Sequence, residues 1–308
     1  MGLTVALAGG VGAAKLLRGL AKIIPPRDLV IIGNTGDDLE LYGLHISPDL
    51  DTIMYTLAGI VDETNGYGIS ADTFNCLNML NKMDHETWFK LGDRDLATHI
   101  TRTRLLREGR TLSQATTELC RILGVKPKLT PMSNEPVRTR IISDKTTLDF
   151  QEYFVKKETN INVTDIQYEG AEEAKPAPGI LGAIKKAQKL VICPSNPLLS
   201  IAPILSIPTI CNEVKNTKAH VVGISPIIAG KTVKGPADKI MATMGLDASA
   251  YGVAKFYKDI LDHLIIDEAD RNLKPKIERL GIKTTVTKTI MRSHEDSARL
   301  AETVTRTE

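Results

Sequence analysis

The stretch LVIIGNTGDDLELYGLHISPDLDTIMY, Leu29–Tyr55, decides how the chain is read. Leu29–Gly33 is a continuous apolar run of strand length closed by a glycine, the pattern of a strand buried on both faces of a parallel sheet. Directly behind it come five acids, Asp37, Asp38, Glu40, Asp49 and Asp51, spaced around Gly36, Gly43 and Pro48. Acids crowded at a strand's carboxyl end, where open α/β sheets bind ligands, make a candidate site for a hard divalent cation. A second reading stays open. Ser47-Pro48 is a helix start, and Leu50, Ile53, Met54 and Leu57 recur at helical spacing, so Asp49 and Asp51 also fit as first-turn acids favoured by the helix dipole. The separate Asp37-Asp38 pair favours the cation, because two carboxylate groups so close repel unless something positive lies between them.

Working outward, Leu3–Ala8 is an apolar run that enters Gly9-Gly10-Val11-Gly12-Ala13-Ala14-Lys15, and Leu16, Leu17, Leu20 and Ile23 then suit a helix face. Strand, glycine loop and helix together can bring backbone N–H groups close to a phosphate. The loop matches neither the dinucleotide spacing nor the P-loop spacing, and the second strand ends in Asn34 rather than a ribose-binding acid, so a nicotinamide dehydrogenase is disfavoured. The parallel pattern resumes late in the chain. Lys189–Cys193 runs into Pro194-Ser195-Asn196-Pro197, and His220–Ile224 runs into a loop carrying Lys231, Lys234 and Gly235; His263–Ile266 and Ile282–Val286 follow. These six strands, alternating with helices such as 179–187 and 237–244, predict an α/β fold, a doubly wound Rossmann-like parallel sheet with right-handed crossovers.

Between them the character changes. Helices are expected over 71–82, 94–109 and 113–123, and a hairpin over 138–143 and 147–155, forming an inserted smaller α+β lobe at 62–169 within a Rossmann-like domain of 1–61 and 170–308. The Gly92-Asp93-Arg94-Asp95 run, with His99, Arg102 and Arg104, reads equally as a ligand contact or as a salt-bridged helix in which His99 pairs with Asp95 one turn earlier.

Composition narrows the function. The 308 residues, 42% hydrophobic, suffice for a large core, and 39 basic against 37 acidic residues leave no basic block for nucleic acid. Cys76, Cys120, Cys193 and Cys211 are scattered, which fits free thiols in a reducing cytoplasm better than disulfides or zinc. With no secretory leader and no apolar run of membrane-spanning length, a soluble cytoplasmic protein without membrane contact is expected.

The motifs GGVGAAK, NTGDD, HISPDLDTIMYTL, LGDRDLATH, PSNP and SPIIAGKTVKGPAD, in this order, resemble the CofD family, the 2-phospho-L-lactate transferases of deazaflavin coenzyme (F-420) biosynthesis. The resemblance implies a magnesium-dependent, typically dimeric enzyme. In that reaction a ribityl hydroxyl of 7,8-didemethyl-8-hydroxy-5-deazariboflavin attacks the phospholactyl phosphorus of lactyl-2-diphospho-5'-guanosine and GMP leaves; bacterial relatives use a phosphoenolpyruvyl donor. It implies Mg2+ on Asp37, Asp49 and Asp51, with Asp38 and Asp51 as catalytic residues, Asp38 as a base or a partner of the acceptor hydroxyl. Gly10, Gly12, Asn34, Thr35, Ser195, Asn196, Lys231, Lys234 and Gly235 would bind substrate, with the acceptor against the Asn34–Asp38 loop and the donor on the Gly10 and Pro194–Pro197 side. With 4% aromatic residues, the deazaflavin slot is expected to be walled by aliphatic side chains. The alternative is a nucleotide-sugar binding regulator of the same fold without transferase activity.

Overall fold

The structure, a computed structural model, describes residues 2–307. Its centre is a seven-stranded parallel sheet whose spatial order, named by first residues, is Lys283, His263, His220, Lys189, Thr4, Leu29, Lys128. The Thr4–Ala8 strand lies between Leu29–Gly33 and Lys189–Ile192, with Thr4 opposite both Leu29 and Lys189. The chain therefore reverses its winding direction on either side of the first strand, and the loops after Ala8, Gly33 and Ile192 leave the sheet at one level beside a crevice.

Alternation along the strands builds the two layers. Val5, Leu7, Val30 and Ile32 face one side, covered by helices Ile180–Lys186, Pro208–Lys215, Ala237–Thr243 and Ala250–Phe256. Ala6, Ala8, Leu29 and Ile31 face the other, covered by Gly10–Ile23, Pro48–Ala58, Leu112–Ile122 and His294–Arg306. All six expected strands are present.

The seventh strand, Lys128–Pro131, pairs beside Leu29–Gly33. It comes from within 62–169, so that segment is not wholly a lobe apart from the sheet. Four residues with lysine and proline at the ends carry little strand signal, and an edge position tolerates the proline. The expected hairpin is present as Arg138–Ile142 paired antiparallel with Thr147–Asp149, and Asp165–Glu169 adds a third strand. The strand expected to continue to Val155 instead ends early and turns helical over Glu152–Lys156, which buries Tyr153. The helix expected from Ala71 begins at Asn75, because Ala71 has a left-handed φ of 51°. Among the described residues no single helix is long and apolar enough to cross a membrane; a pair that qualifies by composition, Pro197–Leu205 and Pro208–Lys215, is bent by 92° and contributes to the core.

Candidate active site

Three loops meet where the sheet reverses. Asn34 ties them together. Its backbone N–H donates to Ala8 O at 2.9 Å, and its Nδ2 donates to Asp49 Oδ2 at 2.9 Å, Asp37 Oδ1 at 3.4 Å and Leu199 O at 3.3 Å. Its Oδ1 accepts from Gly36 N at 2.8 Å, closing the turn that presents Asp37 and Asp38. Ser195 Oγ accepts from Gly9 N at 3.3 Å, and Asn196 Oδ1 caps the next helix through Leu198 and Leu199. Only glycine permits this closeness: a Cβ on Gly12 would stand 2.2 Å from Pro194 O, and one on Gly9 would stand 2.3 Å from Asp49 Oδ2.

All four expected aspartates are buried. Asp49 accepts from Asn34 and from the Gly10 backbone N–H, and Asp37 Oδ2 accepts from Gln151 Nε2 at 3.2 Å. Burial, outweighing those donors, pushes the Asp49 carboxyl up to about 7; burial and then the Asp49 charge hold Asp37 well above the usual range. Two buried carboxyls that resist sharing one neighbourhood without a proton are a place where a cation is stabilised. Asp38 Oδ2 accepts from Ser47 Oγ at 2.9 Å and lies 3.0 Å from His45 Nε2, while its Oδ1 is buried without a partner. Thr35 Oγ1 and Thr139 Oγ1 are buried and unpartnered as well.

Among the described residues no three His, Cys, Asp or Glu side chains form a ready-made metal cage. Mg2+ takes one or two carboxylates and keeps waters or substrate phosphates as its other ligands. Asp37 and Asp49, with the orphaned Asp38 oxygen nearby in the chain, fit such an ion.

Asp51 has a partner that the expectation did not give it: its Oδ2 accepts from Arg102 Nη1 at 3.1 Å and its Oδ1 from Nη2 in a closer contact. Arg102 is 1% exposed. The sequence places it in a polar stripe, since Asp95, His99 and Arg102 fall on one helix face at i, i+4 and i+7, but does not pair it with Asp51. The His99–Asp95 pair is present, Nε2 to Oδ1 at 3.2 Å.

The lysine loop reaches the site unevenly. Lys234 Nζ donates to Asn65 O in a close contact and sits 4.9 Å over the Tyr67 ring; burial and the charge of Lys15 depress its pKa. Gly66 lies against Val11 of the glycine loop, so Lys234 belongs to the rim of that loop. Lys231 is exposed on the short strand Lys231–Thr232, and Gly235 has a left-handed φ of 84° with open space around it. Phe150 and Phe154 stack at 5.5 Å on either side of Gln151 in the chain, and Trp88 and Phe89 meet edge-on at 5.7 Å, with Lys156 over Trp88 and bonded to Glu86.

Comparison with known proteins gives the family and the fold. Residues 4–300 match the family described as 2-phospho-L-lactate transferase CofD. The chain is 42% identical over 306 residues to a phosphoenolpyruvate transferase of Kitasatospora aureofaciens, covering 97% of this chain and 95% of the relative. It is 39% identical over 300 residues to a 2-phospho-L-lactate transferase of Methanosarcina mazei, covering 97% and 98%. Among solved structures it resembles protein BH3568 of Bacillus halodurans, of the UPF0052 family, at 19% identity and a TM-score of 0.64 with 99% of both chains covered, a likeness of fold alone. The chain belongs to the CofD family of 2-phospho-L-lactate transferases.

Proposed function

We propose that the protein moves the phospholactyl group of lactyl-2-diphospho-5'-guanosine onto the ribityl hydroxyl of 7,8-didemethyl-8-hydroxy-5-deazariboflavin, releasing GMP, as a cytoplasmic Mg2+-dependent homodimer. The observation that carries this reading is the set of buried carboxylates Asp37, Asp38 and Asp49 at the crevice shared by the glycine loop and the Ser195 loop. Bound Mg2+ would supply positive charge for the diphosphate and for the developing charge on the transferred phosphoryl group.

The chain's own residues do the rest. Asp37 and Asp49 would hold the ion, and Asn34 fixes both carboxylates. Asp38, held by Ser47 and His45 with one oxygen unpartnered, can accept the proton of the attacking hydroxyl. Gly10, Gly12, Ser195 and Asn196 line the donor's side, with Thr35 supplying a buried unpartnered hydroxyl to the crevice. Lys234 over Tyr67 presents a cation beside the glycine loop for the nucleoside diphosphate, with Lys231 and Gly235 on the rim. The Phe150–Phe154 pair offers the flat apolar surface that a deazaflavin ring needs, one residue from the Gln151 that touches Asp37.

The test is mass-spectrometric detection of product from the purified protein, the deazaflavin acceptor and Mg2+, with the phospholactyl and phosphoenolpyruvyl donors supplied separately. Product from the phospholactyl donor with release of GMP is expected. Product from the other donor alone would move the specificity to phosphoenolpyruvate, and nucleotide binding without turnover on either would replace the enzyme reading with a binding protein.

A further inference from the structure

Four buried aspartates crowd this crevice, yet the site has use for three. The fourth, Asp51, is held by a fully buried arginine. A buried ion pair is seldom a gain in stability over apolar side chains of the same size, so its presence calls for another account. The geometry supplies one. The helices Pro48–Ala58 and Asp93–Arg107 are joined by two polar contacts one turn apart: Asp51 takes the Arg102 fork, and Tyr55 Oη donates to Asp95 Oδ1 at 2.6 Å. His99 fills the space between, its Nδ1 3.6 Å from Asp51 Oδ2 and 3.3 Å from Arg102 Nη1. Two fixed points on one face set a helix's rotation about its own axis. Asp49 lies two residues from Asp51, about 200° around that helix, so pinning Asp51 toward Arg102 aims Asp49 at Asn34 and Gly10 on the opposite side. The arginine's helix also steadies the other acid: Thr103 Oγ1 accepts from His45 N at 2.8 Å, and the His45 ring contacts Asp38.

We propose that Arg102 is a positioning residue of the cation site: by clamping Asp51 it sets the rotation of the Pro48–Ala58 helix, turns Asp49 toward Asp37, and keeps the fourth carboxylate out of the ion's reach. The proposal rests on the reading of Asp37, Asp38 and Asp49 as the cation-binding and catalytic acids.

The experiment compares wild type with three variants, Asp49→Asn, Arg102→Lys and the double variant Asp51→Leu/Arg102→Met, which removes the clamp without leaving a buried charge. Each is measured for Mn2+ affinity by electron paramagnetic resonance, for thermal melting, and for kcat and KM at saturating metal. The double variant should melt near wild type, bind Mn2+ at least tenfold more weakly, and lose kcat at least tenfold. Arg102→Lys, which keeps the charge but not the fork, should recover part of the Mn2+ affinity. Wild-type Mn2+ affinity and kcat in the double variant would overturn the proposal. Should that variant not fold, Arg102→Lys decides, an unchanged Mn2+ affinity and kcat again overturning it. If instead Asp49→Asn leaves wild-type Mn2+ binding intact, the cation reading itself falls, and the positioning role falls with it.

Discussion

Replacing Asp49 by asparagine should make the metal-free protein more stable at neutral pH while abolishing its response to Mg2+. The sign follows from linkage. Burial lifts the folded carboxyl from its ordinary 3.8 to about 7, so between those values the native state holds more protons than the unfolded chain, and stability falls as pH rises through that window. Below it the group is neutral in both states and costs nothing; above it the loss is complete. At ~1.4 kcal/mol per factor of ten in proton affinity, the ionised group costs the fold ~4 kcal/mol at pH 8. Asparagine removes that cost and gives back ~1 kcal/mol of charge-assisted hydrogen bonding from Asn34 and Gly10, a net gain of ~3 kcal/mol or about 6 °C in melting temperature. Near pH 5 most of the difference disappears.

The assay is thermal or urea unfolding of wild type and Asp49→Asn in chelator, from pH 5 to 8, repeated with Mg2+. Magnesium at a hundred times its Kd should add about 2.7 kcal/mol to wild type and nothing to the variant. A wild-type apoprotein whose stability is flat from pH 5 to 8, or a variant less stable than wild type at pH 8, would refute the claim that the buried pair is strained without a cation.

Gly12→Ala should lower stability by about 1–3 kcal/mol and raise the donor KM, because the added methyl meets the Pro194 carbonyl at 2.2 Å; an unchanged melt would mean that the two loops separate freely. Lys234→Met should raise the donor KM at least tenfold with the acceptor KM unmoved, and more than Lys231→Met does, since Lys234 stands beside the glycine loop while Lys231 is exposed; equal effects in initial-rate kinetics would remove the distinction. Phe154→Ala should raise the acceptor KM about tenfold and leave the donor KM alone, and titration of the acceptor by absorbance would show the loss directly.

The fold was legible because its signals are local and repeated. The apolar runs Leu3–Ala8, Leu29–Gly33 and Lys189–Cys193 end at Gly9, Asn34 and Pro194, so the carboxyl-end rule collects Gly10, Asn34 and Ser195 before any coordinate is known. Lys128–Pro131 escaped because four residues at an edge need little apolar content, and its identity as a strand comes from pairing with Leu29–Gly33. The helical turn at Glu152–Lys156 escaped because a run of aromatic and β-branched residues favours a strand locally, and burial of Tyr153 against the core overrides that preference. The pairing of Trp88 with Phe89 and of Phe150 with Phe154 cannot be seen in a composition of 4%, which reports how many rings there are and not where they meet.

The aspartates show where legibility ends. Once Ser47-Pro48 is read as a helix start, helical phase already forbids Asp49 and Asp51 from facing one ion, since residues two apart point about 200° away from each other. What phase cannot say is which of the two faces the site. That choice is made by Arg102, 51 residues further on and brought in by a helix of the intervening segment. Two aspartates of the same motif therefore carry opposite assignments. Asp49 is buried with its carboxyl pushed up to about 7, while Asp51 is paired with a guanidinium. The segment between the second and third central strands thus supplies the buried positive charge that sets Asp51 apart from Asp37, Asp38 and Asp49.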